Sequence, residues 1–142
     1  MVNLPQNIGA TVTLLSEQNY VCSRDLATVL YLCLSLDKPL FLEGEAGVGK
    51  TEIAKAVAAA LGRRLIRLQC YEGLDVASAI YEWNFSAQMI AIRTAEATGV
   101  TQRSALQKEL FSEEFLIRRP LLQALQPYEE GPPVFLIDEV DR

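Results

Sequence analysis

The chain has 142 residues, which suits a single domain, and its 50% hydrophobic and 22% charged content excludes collagen-like, coiled-coil and disordered classes. Its 13 basic and 18 acidic residues give a net charge of −5, so nucleic acid is not an expected partner. The absence of histidine from the sequence excludes His-based catalytic triads and His-containing zinc sites.

The three cysteines, Cys22, Cys33 and Cys70, are odd in number and form no C-x-x-C pair. We therefore expect reduced thiols rather than a disulfide framework or a structural zinc site. The uncharged apolar stretch at residues 26–36 is much shorter than the ~20 residues of a membrane span. No charged leader precedes Arg24, so we expect a cytoplasmic protein without a membrane segment.

The N-terminal third of the chain predicts two helical segments and a short strand. Residues 1–22 have a weak pattern, typical of an irregular or short-helical lead-in. Ser23 can cap a helix that continues to about residue 36 and ends before Pro39, because proline cannot continue a helix. The apolar run at residues 40–42 predicts a parallel strand that is covered on both faces.

Residues 44–51, G-E-A-G-V-G-K-T, follow this strand and match the phosphate-binding pattern G-x-x-x-x-G-K-[ST]. The glycines permit backbone angles that a Cβ would obstruct, so the N–H groups can form a nest for phosphate oxygens. Lys50 suits the β- and γ-phosphates of a nucleotide, and Thr51 offers a hydroxyl to Mg²⁺. The candidate binding residues are Gly44, Glu45, Ala46, Gly47, Val48, Gly49, Lys50, Thr51 and Glu52.

A helix and a half-polar strand are predicted next. The apolar spacing at residues 52–61 predicts a helix that ends at Gly62. In residues 65–70, Ile66 and Leu68 share one face of a strand with Cys70. Because the opposite face includes polar side chains, we expect this strand at or near a sheet edge.

Residues 71–133 contain no strong strand signal and predict several short helices. Asp75 can cap a helix at 76–81, and Ser86 can cap one at about 87–98. Ser104 with Gln107 forms a capping box for another helix.

Later signals in this region are a proline, a turn and a group of aromatic residues. Pro120 suits the first position of a short helix that ends before residue 127, and residues 129–133 predict a turn. The aromatic side chains are interpreted as packing residues rather than as a stacking platform for nucleic acid. They are Tyr71, Tyr81, Trp83 and Phe85.

Residues 134–137 are a second apolar run, and they deliver Asp138 and Glu139 to the carboxyl end of a buried strand. In open α/β sheets, ligands bind at that end. Asp138 would complete the Mg²⁺ shell through water, and Glu139 would orient or deprotonate the attacking water. The order of helices and strands predicts an α/β fold with a parallel sheet.

At these two motifs the sequence resembles AAA+ ATPases, in particular the MoxR-like group. Residues 40–58, LFLEGEAGVGKTEIAKAVA, and 134–142, VFLIDEVDR, are similar to that group's Walker A and Walker B segments. Residues 67–75, RLQCYEGLD, and 115–125, FLIRRPLLQAL, resemble the branch found beside carbon monoxide dehydrogenase genes. The resemblance implies a P-loop fold of three α/β/α layers with a helical insertion at about residues 71–132.

The resemblance also implies ATP and Mg²⁺ as ligands and a catalytic cycle of ATP hydrolysis. Lys50 and Glu139 match the family's catalytic positions, and Thr51 and Asp138 match its Mg²⁺ positions. The segment at residues 20–24 falls where such proteins contact the adenine. The implied partners are a homo-oligomeric ring, a hexamer in the family, and a protein client such as a molybdenum or other metal hydroxylase.

Several parts of the family's domain have no counterpart up to Arg142: the next strand with its sensor residue, the arginine finger and the helical lid. The family's fourth strand belongs between the runs at 40–42 and 134–137. We therefore expect a domain that is incomplete at the C-terminus, with poor turnover, in which these runs pair with each other or the fold is marginal. Two alternatives are a non-hydrolysing nucleotide-binding or interaction fragment and a nucleic-acid-directed P-loop ATPase.

Overall fold

The computed structural model describes residues 4–45, 47–99 and 103–141. The chain divides into two compact units. The first unit comprises Met1–Tyr71 and Ala124–Arg142, and the second unit comprises Glu72–Gln123.

The regular elements of the described residues are helices, one 3₁₀ turn and short strands. In chain order they are α1 (Ile8–Ser16), α2 (Arg24–Leu36), α3 (Lys50–Ala60), β1 (Leu65–Gln69), α4 (Val76–Ile80), β2 (Tyr81–Trp83), α5 (Phe85–Ala97), α6 (Arg103–Leu110), a 3₁₀ turn (Glu113–Phe115), β3 (Leu116–Arg118), α7 (Pro120–Ala124) and β4 (Val134–Asp138). None of the described helices combines the length and hydropathy that crossing a bilayer requires.

The helices of the first unit begin at side-chain caps or at a glycine. The Asn7 side chain accepts a hydrogen bond from the backbone N–H of Ala10 and so caps α1. Ser23 caps α2 in the same way, through the N–H of Leu26, as the sequence predicts. Helix α3 begins at Lys50, two residues before the predicted start, and Gly49 is its N-cap.

The sheet of the first unit is a parallel pair, β1 with β4, in which Leu65 lies opposite Val134 and Gln69 lies opposite Asp138. This register brings the carboxyl ends of the two strands together. The backbone N–H of Cys70 extends the ladder by donating to the carbonyl of Asp138 at 2.9 Å. The prediction of an α/β fold with a parallel sheet is therefore confirmed.

The core of the first unit joins its three helices. Its buried members are contributed by α1, α2, α3 and the residue after α3, and they are Leu15, Leu30, Ile53, Ala56, Val57 and Leu61. Val134 of β4 packs against this cluster. Because the same face of α3 contacts β4, the helix that follows the glycine loop is held firmly against the strand that carries Asp138.

The prediction of a strand at residues 40–42 is wrong. In the described residues this segment has no strand partner, and β4 pairs with β1 instead of with it. Leu40 and Leu42 pack against the core, but Phe41 between them is 73% exposed. The apolar run is therefore covered on one side only, and no strand within residues 4–45, 47–99 and 103–141 supplies its hydrogen bonds.

The second unit contains two strands that the sequence does not predict. Strands β2 and β3 pair antiparallel, with Tyr81 opposite Arg118 and Trp83 opposite Leu116. Each strand has three residues, too short for a clear alternation of apolar and polar positions. The Trp83 ring meets Tyr81 and Phe111 edge to face, with centroids 5.9 and 5.2 Å apart, in agreement with the packing interpretation.

Two of the predicted helix caps in the second unit are wrong. Asn84, not Ser86, caps α5 by accepting from the N–H of Ala87 at 3.1 Å. Ser104 lies inside α6 rather than at its start. Asp75 caps α4 as predicted, although Tyr81 begins β2 instead of extending the helix, and α7 begins at Pro120 as predicted.

Candidate functional site

The loop that precedes α3 depends on glycine at two positions that are separated by one residue. Gly47 has φ of 83° and Gly49 has φ of 88°, and both angles are in the left-handed region that side chains rarely adopt. No atom lies within 4 Å of the Cβ that would be added at either position, so backbone conformation, not crowding, requires glycine here. The loop thereby reaches the N-terminus of α3, where backbone N–H groups and the helix dipole favour an anion.

Lys50 stabilises this loop with its ammonium group. The Nζ atom donates to the carbonyl oxygens of Gly44 and Glu45, both at 2.6 Å. An ammonium group has three N–H donors, so these two bonds leave capacity for a third acceptor. Lys50 can therefore hold the loop and still donate to a phosphate oxygen.

Thr51 and Asp138 meet at the carboxyl end of the sheet although 87 positions separate them in sequence. The Thr51 hydroxyl donates to the Oδ2 atom of Asp138 at 3.3 Å. The packing of α3 on β4 explains this contact, because it brings the first turn of the helix beside the last residue of the strand. A hydroxyl beside a carboxylate is a pair of hard oxygen donors, the type that Mg²⁺ prefers.

Arg67 is a charged neighbour of this pair to which the sequence analysis gave no role. Its Nε and Nη2 atoms donate to Asp138 Oδ2 at 3.1 and 2.7 Å. The signal in the sequence is the alternation of β1, which places Arg67 and Gln69 on the polar face. Without the register of β1 against β4, the sequence does not show that this face lies beside Asp138.

Glu139 follows β4 directly and has φ of 54°, a left-handed conformation that is unusual for a residue with a Cβ. The side chain is exposed. The change of conformation turns the chain out of the sheet just after Asp138. Such backbone outliers are concentrated at functional sites, where the surrounding structure holds them.

A cavity of about 560 Å³ lies in the first unit between the end of α1 and the exposed side of α3. Residues 18–21 line one side, and residues of α3 with Gly49 line the other. Gly49 is thus shared between this cavity and the glycine loop. Burial, and secondly the nearby charge of Cys22, raise the pKa of the Tyr20 phenol above its ordinary value of 10.0, so a neutral aromatic ring borders the cavity at neutral pH.

The remaining candidate binding residues are distributed around this site. Glu45 contributes its carbonyl to Lys50, and Val48 is 60% exposed in the loop. Glu52 lines the cavity and forms an ion pair with Lys55 at 2.6 Å. Ala46 lies outside the described residues.

A resident metal site made only of protein side chains is not found in the described parts of the chain, where no group of three or more His, Cys, Asp or Glu residues could hold an ion. The Thr51–Asp138 pair nevertheless fits Mg²⁺ that arrives with a nucleotide. In such complexes one or two protein oxygens suffice, because phosphate and water complete the octahedron.

A glycine loop that leads into a helix, beside a parallel strand that ends in carboxylates, defines the P-loop class of α/β nucleotide-binding domains. The comparison with known families agrees with this class. A family described as AAA domain (dynein-related subfamily) matches residues 39–142. The chain belongs to this family, whose members are built on an ATP-binding ATPase domain.

One curated relative shares a short segment with this chain. Cytoplasmic dynein 2 heavy chain 1 of Caenorhabditis elegans is 54% identical over 35 residues, which are 25% of this chain and 1% of that protein. The chain therefore spans about 1% of the length of this relative. No solved structure matches the chain.

Proposed function

We propose that the loop at residues 44–51 binds the phosphates of Mg·ATP and that Asp138 and Glu139 complete the site for hydrolysis. The observation that carries this proposal is the 3.3 Å contact between the Thr51 hydroxyl and Asp138 Oδ2. The two residues come from separate motifs, and a chance match of either motif would not bring them together. The glycine conformations before α3 give independent support.

Each side chain has a role that follows from its chemistry. Lys50 donates to the phosphate oxygens and keeps the loop in shape through its bonds to Gly44 and Glu45. Thr51 and Asp138 hold Mg²⁺, which neutralises phosphate charge when bound. Glu139, at the end of β4, orients the attacking water and accepts its proton.

The cavity beside Gly49 supports a nucleoside as the rest of the ligand. It begins at the glycine loop and continues along α3 to residues 18–21, so a ligand held by its phosphates extends into it. The neutral ring of Tyr20 and the side chain of Val21 provide an apolar border for a base. We infer that the adenine lies there.

Within the AAA family, we further propose that the chain is a MoxR-like AAA+ ATPase. The support for this assignment is the sequence of residues 67–75 and 115–125, which resembles the branch beside carbon monoxide dehydrogenase genes. We propose that the chain acts as a chaperone-like motor domain, in a homo-oligomeric ring, on a metalloenzyme client. Purification of the protein from its own host, followed by identification of bound proteins, tests the client. Recovery of a metalloenzyme is the expected result, and its absence among the bound proteins would contradict the assignment.

The primary experiment is calorimetric titration of the chain with ATP and Mg²⁺. The wild type binds, and Lys50→Ala weakens binding about 100-fold, because charge-assisted bonds to phosphate contribute about 1.5–3 kcal/mol each. Lys38→Ala is the matched control, since Lys38 is an exposed lysine in the loop after α2. Equal binding by wild type and Lys50→Ala would remove the loop from the function.

A phosphate-release assay separates hydrolysis from binding. Glu139→Gln keeps ATP binding and lowers turnover about 100-fold or more, which is the usual contribution of a general base. Binding without any phosphate release by the wild type would favour the non-hydrolysing alternative. Stimulation of release by DNA would favour the nucleic-acid-directed ATPase, which the net charge of −5 argues against.

A further inference from the structure

The position of Arg67 opposite the candidate metal carboxylate is not explained by the roles described so far. Arg67 lies in β1, with Leu136 of β4 as its register partner. The Arg67 side chain reaches past Leu136 and forms an ion pair with the carboxylate of Asp138, two residues further along β4. The residue with which Arg67 pairs is the one that the proposed function assigns to Mg²⁺.

All three side-chain contacts described for Asp138 end on the same atom. Nε and Nη2 of Arg67 and the hydroxyl of Thr51 donate to Oδ2, at 3.1, 2.7 and 3.3 Å. The ion pair is therefore not bidentate, because a bidentate pair joins two N–H donors to the two different carboxylate oxygens. The guanidinium instead places its positive charge at the oxygen that lies beside Thr51, the position where a cation is needed.

We propose that Arg67 is a positioning residue that takes the place of the metal ion in the nucleotide-free state and releases Asp138 when Mg²⁺ and nucleotide bind. The inference rests on the proposed function, because it concerns the same carboxylate. Arg67 keeps Asp138 paired and oriented while the site is open. It also makes metal binding compete with an existing ion pair.

Exposure and anchoring favour movement of Arg67 rather than of Asp138. The Arg67 side chain is 51% exposed, whereas that of Asp138 is 20% exposed. The backbone of Asp138 is fixed by its bond from the N–H of Cys70 at 2.9 Å, within the β1–β4 ladder. Arg67 can therefore swing into solvent on its long side chain while the carboxylate stays in position. A positive charge so close to a divalent cation would be repelled, so the two occupants exclude each other.

The test is the Mg²⁺ dependence of ATP affinity, measured by calorimetry at several fixed Mg²⁺ concentrations. Arg67→Gln removes the competing charge, so the half-saturating Mg²⁺ concentration falls about fivefold, the effect expected for losing a partly exposed ion pair. Arg67→Lys keeps the charge and stays within about twofold of wild type. Arg64→Gln is the matched control, because Arg64 also flanks β1 but pairs with Glu130 and Tyr128.

The possible outcomes separate this inference from the proposed function. If the half-saturating Mg²⁺ concentration of Arg67→Gln equals or exceeds that of the wild type, Arg67 does not compete with the metal ion. The proposal that the chain binds ATP is unaffected by that result. If Arg67→Lys has the same half-saturating Mg²⁺ concentration as Arg67→Gln, the positive charge at residue 67 is not the cause of the competition, and the inference is overturned. If neither the wild type nor any of the variants binds ATP, the proposed function is wrong, and the inference that rests on it is wrong as well.

A second measurement uses the unmodified chain and does not depend on the folding of a variant. In the ¹⁵N NMR spectrum of the arginine side chains, we expect the Nε–H signal of Arg67 to be protected from exchange by the bond to Asp138. Addition of Mg·ADP shifts this signal and accelerates its exchange, because the bond is broken. An unchanged, protected signal in a chain that has bound Mg·ADP would overturn the proposal.

Discussion

The two compact units differ in how they are stabilised. In the first unit, three helices bury a common cluster that includes Leu15, Leu30 and Ile53, and Val134 of β4 packs against it. In the second unit, the buried apolar side chains of the described residues are Ala79 and Phe115, and its other contacts are aromatic edges, caps and surface ion pairs. The difference shows that precise placement of functional side chains coincides with the unit that has the larger shared core.

The largest expected effect is on the core of the first unit. Leu15 is completely buried at the junction of α1 with α2 and α3, so Leu15→Ala creates a cavity and lowers the free energy of unfolding by about 3 kcal/mol. Urea denaturation followed by circular dichroism measures this change. The control is Val21→Ala, because Val21 is 95% exposed and its truncation leaves stability within about 0.5 kcal/mol. Equal effects of the two variants would contradict the packing described for this unit.

A second prediction concerns Thr51 and Asp138, the two residues of the first unit that are proposed to hold Mg²⁺. Thr51→Ala removes the hydroxyl beside Asp138, so the gain in ATP affinity that Mg²⁺ provides falls about tenfold, while affinity without Mg²⁺ is unchanged. Titrations with and without a chelator measure both quantities. Thr51→Ser retains the hydroxyl and is expected to behave as wild type. If Thr51→Ala kept the full Mg²⁺ effect, the pair would not hold the ion.

A third prediction tests which residue caps α5 in the second unit. Asn84→Ala removes the acceptor of the Ala87 N–H and costs about 1 kcal/mol, whereas Ser86→Ala, inside the helix, costs almost nothing. Thermal denaturation of the two variants gives the comparison. A larger loss for Ser86→Ala would restore the cap predicted from the sequence.

The smallest expected effect is the pH dependence of the α4 cap. Hydrogen bonds, first from the Ser78 backbone N–H and then from the Ser78 side chain, lower the pKa of Asp75 below its ordinary value of 3.8. The cap therefore contributes stability above pH 3.8, and this contribution is lost as the pH falls through the lowered pKa of the folded state. An NMR titration of the Ser78 amide measures the transition, and Asp75→Asn abolishes it. A midpoint above 3.8 would contradict the cap.

Local chemistry explains which parts of the fold the sequence predicts. The caps at Ser23 and Asp75 and the start of α7 at Pro120 depend on neighbouring residues alone, and the structure contains all three. The strands β2 and β3 depend on pairing between distant segments, which three-residue patterns do not reveal. The run at 40–42 shows the same limit, because a strand requires a partner that the segment's own residues cannot supply.

The residues of the candidate site also divide into those that the sequence predicts and one that only the structure reveals. Lys50, Thr51 and Asp138 stand out in the sequence because each lies in a motif whose residue types carry a definite chemistry. Arg67 does not, because its importance arises from the register of β1 against β4 and from the reach of a long side chain. Competition between an internal cation and a metal ion is a tertiary property, and it becomes visible only when distances are known.

The most direct test of the site is an amide NMR titration of the ¹⁵N-labelled chain with Mg·ADP. We expect the largest shifts at Gly47, Gly49, Lys50 and Thr51 and along residues 18–21, with smaller changes in Glu72–Gln123. A titration in which the glycine loop stays unperturbed, or in which the largest shifts fall within Glu72–Gln123, would contradict the account.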